Sequence, residues 1–231
     1  MLELAIRKTA EGSEIEDLST AVTALEMAEG ILRKKGDDGG QLEVQLQLAK
    51  ACYRAAELEP DQAAKLEWLA RGEQSAQKVR ERRPDRVEGH YYLGIIKGRR
   101  AEQVGLGITG YALVFSIRGH GLDAAEIDAT FDHGGPYRLL SGVYAQAPPW
   151  PTSIGDVDEA LEYARKAVEV DPDWPLNHLI LAEALLEDDE IEEARKELQV
   201  VLDAPVEGAW AVESKLWLPY AQRMMEGLRE E

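Results

Sequence analysis

The residues of this 231-residue chain whose types and spacings suit chemistry are few, and most fail on context. Gly105-Leu-Gly107-Ile-Thr-Gly110 matches the dinucleotide fingerprint, in which glycines let backbone amides approach a pyrophosphate at a helix start. That use needs a buried strand just upstream, and Gly98-Arg-Arg-Ala-Glu-Gln-Val104 is not one. The glycines therefore read as close helix packing, and no cofactor is expected. Four histidines, His90, His120, His133 and His178, lack the paired spacing of a metal site, so no metal is expected either. Glu187-Asp-Asp-Glu190 reads as solvated surface, because its spacing is not that of a calcium loop. Cys52, the single cysteine, sits among Leu48, Ala49, Tyr53 and Ala56 with no histidine or basic cluster nearby in sequence, as a small packing residue does. No nucleophile elbow, phosphate-loop lysine or zincin motif occurs. No catalytic residue is assigned, and the chain is not expected to be an enzyme. One group remains: Arg138 beside Tyr137, whose planar fork can hold a carboxylate through two parallel bonds.

The elements that must position Arg138 show a period. Slid against itself by 34 residues, the chain places Ala160 on Ala194 and Tyr163-Ala164 on Glu197-Leu198. Pro172 must end the helix that begins after Asp156, since proline lacks an amide proton and disfavours helix in the residue before it. Counting back gives Ala167, Ala160 and Gly155 at small-residue and turn positions; counting forward gives Leu181, Ala182 and Leu185, then Ala194, Leu198 and the terminator Pro205. The phasing resembles the tetratricopeptide repeat, whose antiparallel helix pairs bury their apolar faces by stacking on one another. The expected fold is an all-α tetratricopeptide-repeat helical solenoid forming one domain over residues 1–231. A leading helix spans 14–35, repeats span 42–84, 85–130, 131–172 and 173–205, and a capping helix lies within 208–228.

Finer expectations attach to the ends and loops. Ser13 and Glu16 form a capping box, and Lys34-Lys35-Gly36 a C-terminal stop. Gly36 to Gly40 reads as a turn, the loop around Pro60 as longer than the consensus, and the helix between Gly107 and Thr130 as irregular. Gly105 to Ile117 carries no charge, which suits core packing or a subunit contact. With Leu140 at the repeat leucine position, Arg138, Tyr91 and Leu179 fall at equivalent places that face the concave groove.

Charge excludes whole classes of partner. With 44 acidic against 26 basic residues the net charge is -18, so a nucleic-acid backbone or an anionic membrane would repel the chain. No apolar stretch is long enough to cross a bilayer. Met1-Leu-Glu-Leu-Ala-Ile-Arg-Lys is no signal peptide. As written the chain reads as soluble and cytoplasmic, and as periplasmic if an export signal preceded it.

The most specific string is Asp128-Ala-Thr-Phe-Asp-His-Gly-Gly-Pro-Tyr-Arg138, followed by the Pro-Pro-Trp-Pro insertion and Asn177-His178. Gly134, Gly135, Pro136, Arg138, Leu140, Tyr144, Ala147, Pro148, Gly155, Asp156, Pro172 and Asn177 together resemble the TatT-like tetratricopeptide partners of TRAP transporters, with the likeness carried by residues 85 to 225 or so. The resemblance implies a homotrimeric, noncatalytic protein that docks the substrate-binding subunit of a TRAP transporter and handles a small hydrophobic or carboxylate ligand. The alternative is a cytoplasmic adaptor that captures a peptide segment in its concave groove. The candidate binding residues are Arg138, Tyr137, Tyr91, Tyr144, Asn177 and Trp150.

Overall fold

A computed structural model of the chain describes residues 2–11, 14–104 and 108–230. Its regular elements are eleven helices, with no strand among the described residues. The chain divides into two compact units, residues 1–113 and 114–231.

The first unit contains α1 (Leu2–Glu11), α2 (Ile15–Lys35), α3 (Asp38–Leu58), α4 (Gln62–Arg82) and α5 (Val87–Val104). Each packs against its neighbour in sequence, α1 on α2, α2 on α3, α3 on α4 and α4 on α5. The apolar stripe of α2 supplies Val22 and Leu25 to a core shared with Ala5, Val44, Leu48, Ala51 and Cys52. Helix α1 was not expected from sequence. Its end is held from another helix, for the Arg54 guanidinium donates to the carbonyls of Thr9 and Ala10 that α1 leaves unpaired. Burial pushes the Cys52 thiol up to about 12, so it stays protonated at neutral pH.

Several local expectations change in this unit. Gly36 does take the left-handed conformation, φ 69°, and α2 closes by Gly36 N–H to Arg33 O and Asp37 N–H to Leu32 O. The turn is shorter than expected, because Asp37 caps α3 at once by accepting from Gly40 N. The loop at Pro60 is only Glu59, Pro60 and Asp61, because Asp61 accepts from Ala64 N and starts α4 immediately. No side chain caps the start of α2, where Glu14 stands, and Ser13 lies outside the described residues.

The second unit holds α7 (Phe131–Gln146), α8 (Val157–Val170), α9 (Pro175–Glu187), α10 (Ile191–Asp203) and α11 (Trp210–Glu230). The division between units falls inside α6 (Ile108–Asp128), a continuous helix where irregularity was expected. Helices α7 and α8 pair, α9 and α10 pair, and α8 packs on α9. The small residues found by phasing are in the core: Ala160, Ala164, Ala167 and Ala194 are all fully buried. Asp156 caps α8 by accepting from Glu159 N. Gly155 is needed for space, since a Cβ there would lie 2.8 Å from the Ala147 carbonyl carbon.

Candidate functional site

Helix α7 does not begin as a regular helix. Asp132 (φ 50°), His133 (φ 58°) and Gly134 (φ 86°) form three successive left-handed residues before the right-handed course resumes at Gly135 and Pro136. Glycine adopts this conformation freely, but each of the other two costs roughly 1–2 kcal/mol. Proline at the first regular turn is tolerated because its missing N–H would have had no intrahelical partner.

Arg138 offsets that strain. Its Nη2 donates to the Asp132 carbonyl and to Asp132 Oδ2, both at 2.7 Å, and its Nη1 donates to the His133 carbonyl at 2.9 Å. The same Nη1 donates to Asn177 Oδ1 at 2.7 Å. Asn177, fully buried on α9, donates through Nδ2 to the carbonyls of His133 (3.0 Å), Ala167 (2.8 Å) and Asp171 (2.8 Å). Two side chains thus satisfy the left-handed turn, the end of α8 and the start of α9 together. The His133 ring stacks on Trp174 with centroids 4.0 Å apart, and its Nδ1 meets Asp171 Oδ2 at 2.6 Å. Gly134 leaves little room here, for a Cβ would approach the Ala167 carbonyl oxygen to 3.1 Å.

This geometry corrects the orientation inferred from the repeat phase. Arg138 is 7% exposed, Tyr91 7% and Leu179 0%, so the position two residues before the repeat leucine faces the packing and not solvent. Hydrophobic spacing places a residue on a helix, but the partner helices decide which flank is covered. Tyr91, on α5 of the first unit, is buried edge-to-face against Tyr92. Tyr144 is buried too; its hydroxyl accepts from Arg118 Nε at 2.8 Å, and its ring stacks on Tyr163, which also lies beside Tyr137. Lys166 sits over the Tyr163 ring. Arg138 and Asn177 are brought together, and Tyr137 and Tyr144 share an aromatic row. Trp150 is the exposed member at 84%, on a loop pinned by Gly155 N–H to Pro148 O and Asp156 N–H to Tyr144 O. Gly105 to Gly107 of the glycine-rich segment lie outside the described residues.

Sequence reasoning missed the anchoring roles of Asp132, His133, Asp171 and Trp174. The Asp-His-Gly-Gly-Pro run was their signal: small and short polar residues ahead of proline mark a special backbone. It also missed a groove of about 270 Å³ where α7, α9 and α11 meet, lined in part by Gly142, Ala145, Ile180, Ala184, Tyr220 and Met224.

Comparison with known proteins agrees with this architecture. Residues 155–216 match the tetratricopeptide repeat family. Among solved structures, the chain is similar to a thermophilic TPR protein of Thermus thermophilus, with a TM-score of 0.57 and 17% identity over 88% of this chain and 99% of that one. No curated protein matches the chain. The fold is a tetratricopeptide-type all-helical repeat, and among the described residues no helix is long and apolar enough to cross a membrane.

Proposed function

We propose that this protein is a noncatalytic docking scaffold whose partner is the substrate-binding subunit of a TRAP transporter, that it acts as a homotrimer, and that it accommodates a small hydrophobic or carboxylate ligand. A fold of stacked helix pairs suits protein interaction, and the string from Asp132 to Arg138 carries the specific choice of partner. In support, two strained residues are held there by an arginine with four hydrogen bonds, and such strain concentrates where a backbone shape is used. Trp150, exposed on a pinned loop, adds an aromatic anchor of the kind that dominates interfaces. Calorimetric titration of the protein with a purified TRAP substrate-binding subunit from the same organism tests the reading. Saturable heat is expected, weakened by Trp150→Ala without a change in melting temperature; no heat at any attainable concentration would refute it.

A second reading is favoured by the groove between α7, α9 and α11, whose lining mixes apolar residues such as Ala145, Ile180 and Met224 with polar ones. On it the protein is an adaptor that captures a peptide segment, and short peptides would bind without any TRAP subunit.

A further inference from the structure

The planar fork sought at Arg138 is open at Arg118. This residue lies on α6 in the second unit, is half-buried, and makes no ion pair among the described residues. Its Nε donates to the Tyr144 hydroxyl at 2.8 Å, and its guanidinium carbon stands 5.8 Å from the Tyr144 ring centroid. A close approach of α6 and α7 sets this up. A Cβ on Gly121, one turn after Arg118, would lie 2.8 Å from Leu140 Cδ2, one turn before Tyr144. The orienting bond uses Nε alone. Nη1 and Nη2 have no partner among the described residues and neither is a buried atom, so the end of the fork, the pair of donors that grips a carboxylate, can be reached. A cation drawn partly out of water without a counter-charge is costly until an anion supplies one. Beside it runs an aromatic row. Tyr163 on α8 stacks on Tyr144 with ring planes 9° apart, and Tyr137 lies 6.0 Å from Tyr163. Because Tyr144 and Tyr163 turn their faces to each other, the half-buried Tyr163 and Tyr137 offer edges, whose positive rim favours the face of another ring.

From this geometry we infer that Arg118 binds the carboxylate of a small aromatic acid, with Tyr144 as its positioning residue and the edges of Tyr163 and Tyr137 as the seat of the ligand's ring. The inference rests on the carboxylate-ligand part of the proposed function and gives it a place. Charge decides where such a ligand can settle. With a net charge of -18 the molecule as a whole repels an anion, which is held only where an oriented cation has no acid of its own. Arg138 fails that condition, since Asp132 Oδ2 already occupies its fork.

Ligand-observed NMR titration of the full chain tests this with four probes: benzoate, its neutral isostere benzamide, the saturated cyclohexanecarboxylate, and a glutamate-containing peptide capped at both ends. Benzoate is expected to bind, benzamide more weakly by roughly tenfold or more, and cyclohexanecarboxylate more weakly than benzoate. Arg118→Gln is expected to cost benzoate roughly tenfold or more in affinity, and Arg118→Lys to recover only part of it, with melting temperatures near that of the wild type. Tyr144→Phe keeps the ring but removes the orienting acceptor. It should weaken benzoate binding in the wild-type background and have no further effect beside Arg118→Gln, a coupling that general structural damage would not produce. Benzoate binding that survives Arg118→Gln would put the carboxylate elsewhere and overturn the inference while leaving the carboxylate-ligand reading in place. Benzamide or cyclohexanecarboxylate binding as well as benzoate would overturn the assigned chemistry. Capture of the capped peptide instead of benzoate would overturn it in favour of a partner's acidic side chain. If no probe binds, the inference and the carboxylate-ligand reading fall together, and docking to the TRAP subunit is decided by its own titration.

Discussion

At the scale of single residues, Arg138 links sequence and structure most directly. Its guanidinium is buried and donates four bonds, so its removal takes a donor from Asn177 Oδ1 and from the carbonyls of Asp132 and His133, of which His133 keeps Asn177 Nδ2. Arg138→Ala is expected to cost roughly 1.5–3 kcal/mol of stability, the range for hydrogen bonds to a charged group. Arg138→Lys should recover little, since one ammonium cannot span four acceptors placed for a planar fork. Denaturant melts of both variants measure this, and wild-type midpoints would mean the left-handed turn holds itself. His178 offers a pH-dependent counterpart. Its Nδ1 meets Glu197 at 2.6 Å and its Nε2 the Pro172 carbonyl at 2.8 Å; both partners accept, so the ring is held doubly protonated. The bond to Glu197 raises its pKa above 6.5, against the opposing pull of burial. A raised folded pKa means the stabilisation is complete below about 6.5 and fades as pH climbs through the folded value. The stability difference between wild type and His178→Gln should therefore shrink between mildly acidic and mildly alkaline pH; a difference constant across that window would contradict the assignment. Cys52, with its thiol pushed up to about 12, should resist a maleimide in the native state and react on unfolding.

At the scale of elements, the close approaches set what the helices tolerate. Ala160 is 0% exposed on α8, and Ala160→Leu should destabilise by roughly 1–3 kcal/mol through overpacking. Gly155→Ala should lower the melting temperature for a different reason, because the added methyl meets Ala147 backbone that cannot swing aside as a side chain can. If Gly155→Ala melted like wild type, the pinned shape of the 147–156 loop would be in error. These positions were legible beforehand. Pro172, Gly155 and Pro205 punctuate α8 to α10 and leave the alanines in phase, since a proline or a crowded turn writes its constraint into one residue. The left-handed turn was legible only as an oddity, the Asp-His-Gly-Gly-Pro run, because its stability comes from Arg138 and from Asn177 on another helix. The flank on which Arg138 lies was read wrongly for the same reason: periodicity gives a helix its apolar face, whereas the burial of a cation depends on which acceptors its neighbours bring. Helix α1 escaped notice because it is short and is closed by Arg54, 44 and 45 residues away.

At the scale of the whole molecule, charge is the dominant property. A net charge of -18 on 231 residues makes the folded chain repel itself, an effect that mobile ions weaken over a Debye length of about 8 Å at physiological ionic strength. The melting temperature should therefore rise when sodium chloride is added to a low-salt buffer; a flat or falling curve would show that favourable ion pairs such as Arg99–Glu57 and Arg100–Glu73 outweigh the repulsion. The proposed trimer belongs to this scale as well. Phe115 is 56% exposed and Leu122 38%, seven residues apart on one side of α6, and an apolar stripe of that kind suits a subunit contact. Light scattering should return a trimer mass that Phe115→Asp reduces, while a monomer mass for the unaltered protein would remove the assembly from the proposal.

The pairing of Arg138 with Asn177 has a consequence for how the second unit comes apart. Helical repeats ordinarily behave as a row of semi-independent blocks, each opening at its own free energy and fraying from an end. Here one buried amide reaches the left-handed turn at the start of α7, the last turn of α8 and the bend into α9, so these junctions cannot loosen one at a time. In native-state hydrogen exchange the amides flanking them should share one opening energy and one denaturant dependence, and Asn177→Ala should split that single cooperative block into two that open separately.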